Sequence, residues 1–384
     1  MRTRPVKQAS ARRRPTPRWA GVLLAVALAA ALLLGGLTAA CGSGSTTTTA
    51  AQPGSSTTAA SPTTESPSTS EAATSTSAAA GRLDTITLVA PPGPMAIPLA
   101  YIAVNDKLSA VAAQTKVVVW ENADQLKAYV AGKQGDFVTM PSNNSSIFYN
   151  KGIALQLLDI SVWNITYLIT SDGTAANLAD IKGQSVAVSL QGSVPALMFQ
   201  YLAKAQGLDP AKDFQVRYAT DPTQAAQLLL SGQVQNAVLS EALATAVILQ
   251  TKDSAKPLHR ALAFDKAWTD SAGGDTPIAG TVATGSVLGR PDVIVAFEQA
   301  YKEAVQWMLD NPEEAGELMA AQFPQLGLKA PVMTASLKNI TWRYTPAKDA
   351  RPSLDAFYQD LSELSPEVIG GKVPDDGFYF SQTE

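Results

Sequence analysis

The two side chains most used for metal and redox chemistry are nearly missing. Among 384 residues there is one cysteine, Cys41, and one histidine, His259. A lone cysteine excludes an internal disulfide and any Cys-rich zinc or iron–sulfur site. His259 sits inside the apolar, strand-like run "LHRALAF", where a structural role outweighs a catalytic one. The chain also lacks a G-x-S-x-G elbow, a phosphate-binding P-loop, a G-x-G-x-x-G fingerprint and an H-E-x-x-H pair. Its adjacent carboxylates, Glu313-Glu314 and Asp375-Asp376, read as solvated faces rather than acid/base couples. With nucleophilic, metal and cofactor signatures all missing, the expectation is binding without turnover: no enzyme, no cofactor and no metal.

Basic charge is scarce where it would matter for nucleic acid. Of 29 Lys and Arg, seven precede Cys41, leaving 22 against 33 Asp and Glu and a net charge near −11. No basic stripe is present, so a phosphate backbone is not an expected partner. The seven early bases are followed by an uncharged Leu/Ala/Val run from Trp19 to Ala40. A basic region, an apolar region and small residues before a break are the parts of an export signal, although the run is also long enough to span a bilayer. Thr38, Ala39 and Ala40 before Cys41 resemble a bacterial lipobox, with Thr38 where Leu is usual and Leu37 one place further back. The expectation is therefore a lipoprotein signal over residues 1–40 and lipid attachment at Cys41.

From Gly42 to Ala80 the chain is almost all Ser, Thr, Ala, Gly and Pro, with Glu65 and Glu71 its only charges. Such a stretch has nothing large to bury and cannot offset the entropy of folding. It reads as a disordered tether, residues 41–81, spanning roughly 35 Å as a random coil. Past Arg82 short β-branched runs alternate with helical ones: "TITLVA", "KVVVW", the helix "ADQLKAYVAG", "DFVTM", then "ALQLLDIS" and "NITYLIT" as strands. A second series begins with "DIKGQSVAVS" and continues through "FQVRYA", the helix "PTQAAQLLLSG", "NAVLS" and "LHRALAF". After "TPIAGTVAT" the chain turns mainly helical, with two helices split at Asn311-Pro312. This alternation predicts α/β sheets flanked by helices, and 303 residues fit two lobes better than one. We expect lobe 1 over 82–168 plus 277–384, lobe 2 over 169–276, and crossings near Trp163–Thr170 and Pro277–Ala283.

In open α/β sheets ligands sit outside the carboxyl ends of strands, facing helix N-termini. Two such junctions are rich in hydrogen-bonding groups: Ser142, Asn143 and Asn144 after "DFVTM", and Gln191, Gly192 and Ser193 after "QSVAVS". Each can hold a polar group through hydroxyls and backbone N–H, or can simply cap its helix. "APPGPMAIP" is a stiff first strand-to-helix loop, either a pocket wall or a tight turn. Trp163 at the expected crossing can stack on a planar ligand or fill the core. Glu241 after "NAVLS" can accept from a ligand N–H or complement a helix dipole. None of these junctions carries Arg or Lys.

The runs "NLADIKGQSVAVSLQGSVPALMFQYLAKAQGLDPAKD", "QAAQLLLSGQVQNAVLSEALATAV" and "RPDVIVAFEQAYKEAVQWMLDNPEEAGEL" carry a resemblance. From about Arg82 to Gln325 the chain resembles solute-binding proteins of bacterial ABC importers, in the nitrate/taurine/aliphatic-sulfonate and thiamine-pyrimidine-precursor superfamily. The family's Glu-Pro element appears here as Glu241-Ala242. The resemblance implies a two-lobed type II periplasmic-binding-protein clamp, each lobe a mixed or parallel sheet, with two hinge crossings. It implies a monomer, lipid-anchored outside the cell membrane, that closes on a sulfonate, pyrimidine-like or other small heterocyclic solute. Its partners would be a permease and its ATPase. Ligand contacts then fall at Pro94, Met95, Ser142, Asn143, Asn144, Trp163, Gln191, Gly192, Ser193 and Glu241. A tethered small-molecule sensor, or an enzyme on the same fold, is the alternative. The enzyme relatives use a Cys-rich motif and a consumed His; here there is no second cysteine, and His259 lies far from the matching region.

Overall fold

The computed structural model describes residues 81–381. The expected signal, the lipid-bearing Cys41 and the Ser/Thr tether lie outside the described residues. The first series comprises β1 (Leu83–Ala90), α1 (Ile97–Val104), β2 (Ala112–Val119), α2 (Ala123–Ala131), β3 (Phe137–Pro141), α3 (Ser142–Asn150), β4 (Leu155–Leu157) and β5 (Asp159–Asn164). The second comprises β6 (Thr166–Thr170), β7 (Ser185–Ser189), α4 (Val194–Ala205), β8 (Gln215–Ala219), α5 (Pro222–Leu230), β9 (Asn236–Ser240), α6 (Leu243–Thr251), β10 (His259–Ala263) and α7 (Phe264–Ala272). The return runs through β11 (Ala279–Thr284), α8 (Pro291–Asp310), α9 (Pro312–Gln322), α10 (Ala330–Leu337), β12 (Thr341–Pro346) and α11 (Ala347–Leu364).

Two mixed sheets result. The first has the order β12-β5-β11-β3-β1-β2, with β4 also paired to β11; the second has the order β10-β6-β9-β7-β8. β1 lies parallel to β2 and β3, and β7 lies parallel to β8 and β9, while the strands nearest the crossings run antiparallel. The run "ALQLLDIS", expected as one strand, is divided. Leu158 falls between β4 and β5, its N–H donating to the Thr281 carbonyl of β11. "NITYLIT" also divides, since the chain changes sheets at Ile165, three residues before the expected lobe boundary. The second change of sheet occupies residues 273–278, just ahead of β11.

Local sequence accounts for the element ends. Asn122 caps α2 by accepting from the Gln125 N–H at 3.0 Å. At α5, Asp221 accepts from the Gln224 N–H at 2.8 Å, and the Gln224 side chain accepts from the Thr220 N–H at 2.7 Å. Reciprocal capping of this kind satisfies donors that a helix start leaves open. Pro312 begins α9 directly after Asn311 ends α8, since proline fits a first helical turn but breaks a continuing helix.

The core has two main layers in the first lobe. α1, α8, α9 and α10 cover one face, where Phe137 stacks on Phe297 at 3.9 Å. The other face shares an apolar cluster with the second sheet. There α11, which follows β12 of the first sheet, packs beside α4 and α7 of the second. Tyr201 stacks on Trp268 at 4.3 Å, and Trp268 meets the edge of Phe357 at 5.2 Å. α5 and α6 cover the opposite face of the second sheet.

Candidate functional site

The two changes of sheet lie side by side and are bonded to one another. The Ile278 N–H donates to the Val162 carbonyl at 2.9 Å, and the Thr276 hydroxyl donates to the Trp163 carbonyl. The Glu241 N–H donates to the Ile165 carbonyl at 2.9 Å, which ties the β9–α6 junction to the first crossing. A small apolar cluster fills the space between: Val162, Ile165, Ala279 and Ile340, with Met95, Ile278 and Trp342 packed against them. Met95 reaches it from a short 3-10 turn, Pro94–Ala96, in which Pro94 is buried. That turn is entered through Gly93 at φ 117°, a backbone region that other residues rarely adopt.

Trp163 is buried at this crossing. Its indole N–H donates to the Arg343 carbonyl at 2.8 Å, and the Arg343 guanidinium lies over its ring at 3.8 Å. Arg343 in turn donates to Asp275 in the second crossing at 2.8 Å. A solute that stacked on the face of Trp163 occupied by Arg343 would first have to displace that guanidinium.

The β3–α3 junction also meets the second crossing. The Ser142 hydroxyl donates to the Pro277 carbonyl at 2.6 Å, and the Ser142 N–H donates to the Ile278 carbonyl at 2.8 Å. Asn143 donates to the Val368 carbonyl at 3.1 Å, Ser146 donates to the Ile369 carbonyl at 2.7 Å, and Asn144 is half-buried. The polarity that suggested a ligand cradle thus serves in large part to hold the C-terminal segment against α3. Ser193 behaves as a helix cap. Its hydroxyl accepts from the Ala196 N–H at 3.4 Å and donates to the Ser189 carbonyl at 2.8 Å. Gln191 and Gly192 beside it are exposed, and Leu190 holds φ 53°. Bonds through the crossings gather Ser142, Trp163 and Glu241, and the apolar cluster adds Met95. Gln191–Ser193 are joined to that group by none of these bonds.

Glu241 has a partner that no local sequence pattern announced. Its side chain is 0% exposed and accepts from Arg260 Nε at 2.8 Å, from a second Arg260 nitrogen, and from the Thr245 N–H and hydroxyl at 3.2 and 2.7 Å. Burial raises its carboxyl above the ordinary value, with Thr245 and Arg260 opposing. Arg260 also lies over the Tyr167 ring at 5.2 Å, and the Tyr167 hydroxyl donates to the Asn339 carbonyl beside the first sheet. The pairing of β6 with both β9 and β10 brings Arg260 to Glu241. Only that pairing, not spacing, could have revealed it.

Two mixed sheets joined by paired crossings, with strand-to-helix junctions gathered around them, define the two-lobed fold of periplasmic binding proteins. Among solved structures, an ABC transporter protein from Parabacteroides distasonis superposes with a TM-score of 0.64 at 21% identity, covering 78% of this chain and 99% of that one. The periplasmic aliphatic sulphonate binding protein SsuA from Escherichia coli gives 0.61 at 17% identity, covering 78% and 93%. The alkanesulfonate-binding protein SsuA from Xanthomonas axonopodis pv. citri, bound to MOPS, gives 0.55 at 14%, covering 75% and 96%. No curated protein matches the chain. The NMT1-like family model matches residues 101–293, half of the sequence, and the chain belongs to that family.

Proposed function

We propose that this protein is the solute-binding component of an ABC importer. It would be carried outside the cell membrane on a lipid at Cys41 and would present its clamp to a permease and ATPase across the tether. One observation carries the reading: two lobes joined by two adjacent crossings, with Met95, Ser142, Trp163 and Glu241 collected where the crossings meet. Support comes from the family assignment and from the likeness in fold to sulphonate-binding and ABC transporter proteins. A clamp of this kind works by binding one solute more tightly in its closed arrangement than in its open one. The contacts at stake include Arg343 with Asp275, Tyr167 with Asn339, and Thr341 with Asp265 at 3.0 Å. The solute is a small organic molecule, a sulfonate or a pyrimidine-like heterocycle, bound and released unchanged.

A thermal-shift screen tests this, using taurine, MOPS, short alkanesulfonates and substituted pyrimidines. Ligand that binds only the folded state raises Tm by mass action. A hit whose effect is lost in Trp163→Ala, with folding retained, supports the site. Flat responses across the panel count against the reading. Cys41→Ser should abolish lipid labelling in cells; labelling that persists removes the anchor.

A further inference from the structure

On β5, the strand that leads into the first crossing, Asp159 is fully buried and is not among the residues gathered at the crossings. Ser161 of β5 and Thr281 of β11 lie against it, and Thr139 of β3 and Tyr301 of α8 stand behind them, all fully buried. Their hydroxyls are joined in pairs, Thr139 to Thr281 and Ser161 to Tyr301, each at 3.0 Å. The hydroxyls of Ser161 and Thr281 and the Thr281 N–H face the Asp159 carboxyl. Yet neither of its oxygens closes a hydrogen bond. Glu298, on the rim of the cluster, accepts from the Tyr344 hydroxyl at 3.2 Å.

Among the described residues no base is found among the groups that act on the Asp159 carboxyl. The charged neighbour acting on Asp159 is Glu298, also an acid, and burial and Glu298 together push the Asp159 carboxyl well up. A carboxylate wholly removed from water, with no cation and no closed hydrogen bond, is among the costliest groups to bury. The surrounding donors are all oxygens, the set chosen by hard cations rather than by zinc or copper. Among the described residues no three of His, Cys, Asp and Glu converge. In its ionised form Asp159 offers one negative charge beside several neutral hydroxyl oxygens, a match for a single positive charge.

We propose that Asp159, with the hydroxyls of Ser161, Thr139, Thr281 and Tyr301, forms a binding site for a monovalent cation of the sodium class inside the first lobe. The ion would tie β3, β5, β11 and α8 together at the base of the crossing strand. This site is independent of the solute reading.

The test is thermal melting of the full chain in sodium chloride against N-methylglucamine chloride at matched ionic strength. A saturable rise in Tm with sodium, lost in Asp159→Asn and weakened about tenfold in midpoint in Thr281→Val and in Ser161→Ala, supports the site. The Thr281 and Ser161 variants carry the test if Asp159→Asn does not fold. Equal melting in sodium, potassium and N-methylglucamine overturns the site and leaves Asp159 a buried neutral acid. A sodium response that survives in all three variants, or stabilisation by calcium alone, overturns it as well.

Discussion

Replacing Arg260 with methionine isolates the energetics of the β9–α6 junction. Glu241 is 0% exposed at its side chain and Arg260 is 22% exposed. Breaking a buried ion pair by deleting one partner costs about 3–5 kcal/mol, because the remaining charge is stranded. Two contacts to Thr245 survive, and water can approach where Arg260 was, so the lower end applies: about 3 kcal/mol. For a chain of this size that is a fall in Tm of about 6 °C, taking roughly 2 °C per kcal/mol. Glu241 already lies above its ordinary range, and removing Arg260 moves it further up. A carboxyl raised in the folded state contributes stability that is intact below the unfolded value, about 4.3, and lost as pH rises through the folded value. The deficit of Arg260→Met is therefore smallest below the unfolded value and grows as pH rises through the folded one. Adding Glu241→Gln removes the stranded charge and should restore most of the loss. What stays lost is the contact with Tyr167, about 0.5–1 kcal/mol. Urea unfolding of the parent, both single variants and the double variant across that pH range measures the coupling. Equal destabilisation of the single Arg260→Met and double variants at every pH would falsify the reasoning.

Three further substitutions test the frame. Ser193→Ala removes the α4 cap and should cost about 1 kcal/mol in chemical denaturation, leaving the sodium response unchanged. A Cβ at Gly280 would lie 1.8 Å from the backbone oxygen of Asp159, so Gly280→Ala should give little folded protein, and a normal yield with parent-like melting would contradict the β5–β11 approach. Phe357→Ala opens the aromatic contact between α11 and Trp268 and should cost about 3–5 kcal/mol; a loss under 1 kcal/mol would mean that α11 does not brace the second lobe.

Much of the fold was legible because its signals are local. The β-branched runs of β3, β7 and β9, the capped starts of α2 and α5, and the Asn311-Pro312 split all follow from short-range chemistry. β12 was not legible. "TWRYTP" is partly exposed and becomes a strand only by pairing with β5, far away in sequence. The same limit applies to the site. Ser142, Asn143 and Asn144 read as a ligand cradle or a helix cap, and the sequence did not show that Ser142, Asn143 and Ser146 donate to carbonyls of Pro277, Val368 and Ile369. Arg260 next to His259 gave no hint of Glu241 until the second sheet set the two face to face. Asp159 read as one residue of an apolar strand, and only the packed interior shows it surrounded by hydroxyls.

Equilibrium dialysis of the full chain against the solute chosen by the thermal screen tests the central claim most directly, with mass spectrometry of both compartments. The account predicts saturation at one molecule per chain and recovery of the solute at unchanged mass. Uptake that never saturates, or a solute recovered as a different compound, would contradict a clamp that binds and hands on its cargo.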